Sequence, residues 1–289
     1  MTDDGAPVPG LVGTVRGPGS IDGKAIEAAA RRLQTAARTQ TPCPPVRDLL
    51  GTDDVDAAYA VQQILTTDRL ARGARIVGRK IGLTSQAVQQ QLGVDRPDFG
   101  TLFEDMHVLT GGVIPIGELL QPRVEAEVAF ILGADLDEAD PSIAQVRASV
   151  DHAVAALEIC DSRITGWDIS ITDTVADNAS SAMYVLGANQ VDLEWFEPAA
   201  VTMQLTCDGA VVSEGDGAAC LGDPLNALRW LARTASAVGA PLRAGEVVLS
   251  GALGPMVDLK PGMSVVAQIS DVGSVHATVS SMPVDPTAR

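Results

Sequence analysis

Apolar positions recur along this chain with two different periods, and the period changes partway along it. Over Ala25–Thr39, Ile26, Ala30, Leu33 and Ala37 fall three to four apart and predict a helix, which Pro44 and Pro45 close off. Ala58, Val61, Ile64 and Leu65 predict a second helix over Val55–Arg72, with Gly73 as its stop. Arg75–Leu83 has the texture of a strand. Ser85 is placed to cap a short helix through Leu92, closed by Gly93. From Leu102 onward short β-like runs dominate: Arg123–Leu132, Ala182–Leu186, Val201–Cys207, Glu246–Leu249, Ser264–Ile269 and Gly273–Ser280. Asp208-Gly209, Pro261-Gly262 and Asp271-Val272-Gly273 supply turns between them. Two helices are expected to interrupt the strands, Pro141–Ile159 and Pro224–Val238, the second with Leu225, Leu228, Leu231 and Ala232 on one face. Many short strands with few helices predict an α+β protein built on a rolled or closed mixed sheet, not a parallel βαβ array.

Composition narrows this. Of the 289 residues 46% are hydrophobic but only 3% aromatic, so the core must be aliphatic and intrinsic disorder is excluded for the bulk of the chain. The net charge of −17 leaves no footprint for nucleic acid and no attraction to an anionic membrane surface. No apolar run approaches the roughly 18–20 residues of a membrane span. Met1–Gly19 is rich in Gly, Pro and Asp, lacks the apolar stretch of a signal peptide, and reads as a disordered tail. The four cysteines (Cys43, Cys160, Cys207, Cys220) show neither C-x-x-C pairing nor histidines at zinc spacing. Free thiols in a reducing cytoplasm are the default, with Cys207–Cys220 the one disulfide left open.

Several chemistries are absent from the sequence. There is no G-x-S-x-G, no P-loop, no G-x-G-x-x-G between strand and helix, and no H-E-x-x-H. The three histidines (His107, His152, His276) lie far apart, and His107 reads as structural. Carboxylate and lysine chemistry remains. In Arg123–Leu132 the residues Val124, Ala126, Val128, Phe130 and Leu132 face one way, and Arg123, Glu125, Glu127, Ala129 and Ile131 the other. Residues i and i+2 of a strand lie roughly 6.5–7 Å apart on one face, so Glu125 and Glu127 could converge on one cation. Glu158, in the otherwise apolar Ala155-Ala-Leu-Glu-Ile-Cys160, is a candidate third carboxylate. Three carboxylates without imidazole or thiolate favour Mg2+ or Mn2+ over zinc. On the residues alone, a solvated strand face explains Glu125 and Glu127 equally well, and a helix-face pairing with Arg163 would explain Glu158.

Longer strings carry a resemblance. Gly78-Arg-Lys-Ile-Gly-Leu-Thr84, Gln89-Gln-Gln-Leu-Gly-Val-Asp-Arg-Pro-Asp-Phe-Gly-Thr-Leu-Phe103, Gln121-Pro-Arg-Val-Glu-Ala-Glu127, Asp173-Thr-Val-Ala-Asp-Asn-Ala-Ser180, Cys220-Leu-Gly-Asp-Pro-Leu-Asn226 and Gly251-Ala-Leu-Gly-Pro-Met256 occur in order. Together they resemble the 2-keto-4-pentenoate hydratases of the fumarylacetoacetate hydrolase superfamily, over roughly Val46 to Ser280. The resemblance implies a small α-rich N-terminal part (residues 24–103) after a disordered tail (1–23), then the superfamily's catalytic mixed β-roll (104–289). It implies hydration of 2-hydroxypenta-2,4-dienoate, or an alkyl-substituted analogue, to 4-hydroxy-2-oxopentanoate in meta-cleavage breakdown of aromatic or sterol compounds. The family's metal triad falls on Glu125, Glu127 and Glu158, its lysine on Lys80, its aspartate on Asp98 and its serine on Ser180.

Each assignment has a plainer counterpart. Lys80 could be an exposed strand lysine; if functional, it would hydrogen-bond the substrate's 2-oxygen, its pKa lowered by a nearby metal and by Arg79. Asp98 could be a turn aspartate after Pro97, or the residue that orients water. Loop capping would account for most of Asp177–Ser180. Backbone N–H groups from Gly251 to Leu253 could receive the substrate carboxylate, though a plain hairpin turn explains the glycines equally well. Two relatives of the same fold are rivals: 4-oxalocrotonate decarboxylase, disfavoured by Asp98, and C–C hydrolases, which depend on a lid histidine that no residue before His107 supplies. A non-catalytic partner subunit is the alternative from another class. The resemblance also implies a homo-oligomer, and association with a related decarboxylase or a downstream aldolase.

Overall fold

The computed structural model describes residues 22–85, 89, 94 and 96–281. The expected N-terminal tail and the short helix expected after Ser85 fall largely outside that set. Three helices open the described chain: α1 (Gly23–Thr39), α2 (Arg47–Leu50) and α3 (Val55–Ala71). The side chain of Asp22 caps α1 by accepting from the Lys24 amide, and Asp54 caps α3 by accepting from Ala57. Ala29, Ala30, Leu33 and Ala36 of α1 pack with Ala58 and Val61 of α3 into a small core. Ile171, Val175 and Ala176 of a later helix, α5 (Ile171–Ala176), complete it.

Two sheets follow. Their strands are β1 (Ile76–Gly82), β2 (Asp98–Phe103), β3 (His107–Leu109), β4 (Val113–Ile114), β5 (Pro122–Leu132), β6 (Val150–Asp161), β7 (Ser181–Leu186), β8 (Thr202–Cys207), β9 (Ala210–Asp216), β10 (Val247–Leu249), β11 (Val257–Asp258), β12 (Ser264–Ile269) and β13 (Gly273–Val279). Among the described residues the larger sheet has eight strands, in the order β2-β1-β10-β5-β6-β7-β3, with β11 also pairing β5. It is mixed: β1–β10 and β3–β7 run parallel, the other pairs antiparallel. The smaller sheet is β4-β13-β12-β8-β9. This is the α+β architecture with a curled mixed sheet that the hydrophobic pattern predicts.

One expected element is corrected. Pro141–Ile159 is not a helix. A short helix, α4 (Ile143–Ser149), starts at the Ser142–Gln145 capping box and gives way at Val150 to the long strand β6. The alanine-rich run Ala153–Leu157 has helical propensity, but pairing with β5 on one side and β7 on the other outweighs it. The consequence for the site is large, because Glu158 now lies on a strand.

The main core fills the space between the sheets. Val124, Ala126, Val128 and Phe130 of β5 point into it, with Ala155, Leu157 and Ile159 of β6 and Ile81 of β1. The last helix, α6 (Pro224–Ala237), adds Leu225, Leu228, Leu231 and Ala232. The opposite face of the large sheet is also covered, and it is divided along the strands. One end is apolar, with Leu102, Ala129, Val154, Ala156 and Leu249. The other end carries the charged residues described next. All four cysteines are buried free thiols. No helix among the described residues is long and apolar enough to cross a membrane.

Candidate metal and catalytic site

The period of two along β5 and β6 builds the acidic cluster. Glu125 pairs directly with Glu158 across the β5–β6 ladder, and Glu127, two residues on, shares their face. Glu125 is 7% exposed; Glu127 and Glu158 are fully buried. This excludes the solvated-face reading, and Glu158 is not on a helix face paired with Arg163. That arginine instead binds Asp177, with Arg163 Nε 2.5 Å from Asp177 Oδ1. Buried carboxylates of like charge resist ionisation. Burial, followed by repulsion from Glu158, pushes Glu125 up to about 7. The same two causes, with Glu125 added, hold Glu127 well above the usual carboxylate range.

Lys80 enters from β1. Its Nζ lies 3.1 Å from Glu158 Oε1, and the side chain is buried, so it is not an exposed strand lysine. The protein's own groups, taken without a metal, favour the charged form of Lys80. Burial works against the ammonium, but Glu158, Cys160, Asp98 and Glu125 more than offset that, and the pKa rises well above the ordinary lysine value. Arg79 plays no part: it faces the other way and pairs with Glu246 at 3.7 Å. Lys80 thus offers a buried hydrogen-bond donor on the face of the carboxylates.

Asp98, first residue of β2, stands opposite Gly82 in the β1–β2 ladder. It is buried, which excludes an exposed turn aspartate. Burial pushes it up to about 6 against the opposing pull of Lys80. Its Oδ2 accepts a long 3.4 Å bond from Thr174 Oγ1, whose oxygen lies 3.4 Å from Ser180 Oγ. A hydroxyl chain from Ser180 through Thr174 thus reaches Asp98, while Asp98 Oδ1 has no partner. Ser180 is held there by an unusual turn: Asn178, Ala179 and Ser180 all take left-handed φ values, of 55°, 51° and 54°. The Asn178 side chain stabilises this turn by pairing like a strand residue, accepting from Thr101 N at 2.8 Å and donating to Thr101 O at 3.0 Å. Gly100 lets it approach, since a Cβ there would lie 2.4 Å from Asn178 O.

Gly251 takes φ +111°, and its amide donates to Glu127 Oε2 at 2.7 Å. That N–H positions a glutamate, so it is not free for a substrate carboxylate as the turn chemistry suggests. Leu253 differs from expectation in the same way. Its amide is engaged by Ala126 O at 3.0 Å, its carbonyl by Asp216 N at 3.0 Å, and its side chain lies in the main core.

The donor set fits a hard divalent cation. Glu127 Oε1 and Glu158 Oε2 are buried without a partner, Glu158 Oε1 faces only the Lys80 ammonium, and one lysine cannot neutralise three carboxylates. Among the described residues, carboxylate oxygens of Glu125 and Glu158 and the sulfur of Cys160 lie mutually within 4.8 Å. Sequence reasoning missed Cys160. Its Sγ lies 3.6 Å from Glu125 Oε1, to which it donates, and reading 150–161 as a strand would have put it on the face of Glu158. Burial, then Glu158 and Glu125, raises the Cys160 pKa well above the ordinary thiol value. It therefore stands as a neutral donor, and Glu127 is the further carboxylate on this face. Thr174 and Gly82 were missed as well; only the second glycine of the Gly78–Thr84 string hinted at the latter.

A family model described as the C-terminal part of fumarylacetoacetate (FAA) hydrolase matches residues 75–280. The chain belongs to the fumarylacetoacetate hydrolase family. It is 52% identical over 262 residues to a 2-keto-4-pentenoate hydratase of Paraburkholderia xenovorans, covering 91% of this chain and 97% of the relative. It is 39% identical over 243 residues to a 2-hydroxyhexa-2,4-dienoate hydratase of Comamonas testosteroni, covering 83% and 92%. Its fold matches 4-oxalocrotonate decarboxylase from Pseudomonas putida G7, complexed with magnesium and adipate, with a TM-score of 0.86 at 30% identity over 90% of this chain and 99% of that one.

Proposed function

We propose that this chain is a metal-dependent hydro-lyase that hydrates 2-hydroxypenta-2,4-dienoate, or an alkyl-substituted analogue, to 4-hydroxy-2-oxopentanoate in meta-cleavage degradation. The observation that carries the proposal is the meeting of Lys80, Asp98 and three carboxylates on one buried sheet face. Glu125, Glu127 and Glu158 would hold the cation, Mg2+ or Mn2+ by the hardness of their oxygens. When bound, it supplies Lewis-acid polarisation and a template for a substrate bearing a carboxylate and an adjacent oxygen.

The chain's own residues do the rest. The substrate must gain a proton at C5, take water at C4 and gain a proton at C3. The dienolate that is protonated at C5 and the enolate that forms when water adds at C4 both carry charge on the 2-oxygen, where a protonated Lys80 stabilises it as a preorganised donor. Asp98, ionising near neutral pH, orients the water and takes its proton. The Thr174 and Ser180 hydroxyls orient Asp98 and can relay a proton away. Arg123, near the site on β5, is stacked on Trp167 and paired with Asp258 at 2.9 Å, so it is already committed. Substrate capture by an acidic protein then falls to Lys80 and the cation. Reduced buried thiols suit the cytoplasm, and a homo-oligomer is the assembly we expect.

The fold match to a decarboxylase supports one rival reading. An ultraviolet assay separates the two: the 2-hydroxypentadienoate chromophore is lost only when Mg2+ or Mn2+ is present. Consumption of 4-oxalocrotonate with release of CO2, and no loss of the dienoate, would overturn the hydratase assignment.

A further inference from the structure

The carboxylate cluster has a sulfur atom that oxygen-only chemistry does not need. Cys160 follows Glu158 by two residues on β6, so both side chains lie on one face. Cys160 is buried, and its Sγ lies against Glu125 Oε1 at 3.6 Å. Glu158, fully buried beside it, has Oε1 3.1 Å from Lys80 Nζ and Oε2 without a partner. The three donors lie within 4.8 Å of one another. Binding one ion at about 2.3 Å to sulfur and about 2.0–2.2 Å to oxygen would require these side chains to draw in slightly. Two donor sets therefore overlap and share Glu125 and Glu158. Glu127 completes an all-oxygen set; Cys160 completes a set of two oxygens and one sulfur.

We propose that Cys160 makes this site a receptor for thiophilic divalent cations of the zinc, cadmium and cobalt class, which bind through Glu125, Glu158 and the Cys160 sulfur and displace Mg2+ or Mn2+. The inference rests on the carboxylate metal site proposed above. Hard cations have little affinity for sulfur and take the all-oxygen set, whereas softer ones gain a sulfur bond and shift toward β6. On binding, the cation replaces the proton on sulfur, which passes to the buffer; no oxidant or reductant is involved. The predicted consequence is inhibition by zinc or cadmium at concentrations far below those at which Mg2+ supports turnover.

The test loads the full-length protein with Co2+ and, separately, with Mn2+. Bound Co2+ should show a near-ultraviolet thiolate-to-cobalt charge-transfer band. That band should be lost in both Cys160→Val and Cys160→Ser, which provide two chances of a folded variant. Cd2+ affinity, by calorimetry, should fall by about tenfold or more in each. Mn2+ binding, read from the paramagnetic resonance of the free ion, should persist in both. Co2+ bound without the band, or a band surviving in the Cys160 variants, overturns the proposal while leaving the carboxylate site intact. Failure of wild-type protein to bind Mn2+ or Co2+ at all overturns the carboxylate site itself, and this inference with it.

Discussion

Gly82 stands directly opposite Asp98 in the β1–β2 ladder, and a methyl group on Gly82 would lie 2.2 Å from Asp98 Oδ1 and 3.3 Å from Lys80 Nζ. The missing side chain is what lets a buried carboxylate and a buried ammonium flank one point. Gly82→Ala should therefore act on chemistry more than on folding. Asp98 must move, and turnover should fall by about 10²-fold or more, the usual consequence of misplacing a catalytic group. The stability cost should stay within about 1–3 kcal/mol, typical of overpacking. Steady-state kinetics beside a urea melt checks both; full activity in the variant would remove Asp98 from the mechanism.

The pH dependence of Asp98 has a definite sign. Its folded-state value of about 6 lies above the ordinary 3.8, so the fold favours the protonated form. Its contribution to stability is present below 3.8 and is lost as pH rises through about 6. Activity runs the other way, because taking a proton from water needs the ionised form. We expect kcat/KM to fall as pH drops through about 6. Asp98→Asn should remove that limb and cost about 10²–10⁴-fold in rate. The same variant should melt at a higher temperature than wild type at pH 8.

The acidic triad makes a paired prediction. Glu125→Gln and Glu127→Gln each replace a buried carboxylate whose ionisation the fold resists, so at about pH 8 the chelator-treated variants should melt above chelator-treated wild type. Each should also lose the stabilisation that Mg2+ or Mn2+ confers, about 2.7 kcal/mol at a hundredfold excess over Kd. Differential scanning calorimetry with and without Mn2+ reads both effects. A variant that still gains stability from Mn2+ would not be missing a ligand.

Asp173 couples the N-terminal helices to this site. Fully buried, it accepts from the Val46 and Arg47 amides at 2.8 and 2.9 Å, from Arg47 Nη1 at 2.6 Å, and from the Ser170 amide and hydroxyl at 2.8 and 2.9 Å. It thereby ties α2 to α5, the helix that carries Thr174. Asp173→Ala leaves the Val46 and Arg47 amides without their acceptor, while Arg47 keeps Asp168 at 2.7 Å, and should cost about 1–3 kcal/mol in a denaturant titration. Asp173→Asn, which keeps an acceptor, should lose less.

Period alone determined much of this protein. Helices near Ala25–Thr39 and Val55–Arg72, the strand Arg123–Leu132 and its division into an apolar and an acidic face follow from side-chain spacing, which depends on local geometry alone. The cluster of Glu125 with Glu127 was legible for the same reason. The Glu158 position was not. Its segment is alanine-rich with apolar residues on nearly every position, as in any strand buried on both faces, and such a run has no period to read. Only pairing with β5 and β7 decides that it is a strand and sets Glu158 against Glu125. Tertiary structure alone also brought Lys80 to Glu158, engaged the Gly251 amide with Glu127, and put Cys160 beside the carboxylates. These contacts join residues distant in sequence or fix a side chain's direction, so no local pattern encodes them. The identity of the acids was written in the chain; which of them share one desolvated space depended on the register between strands.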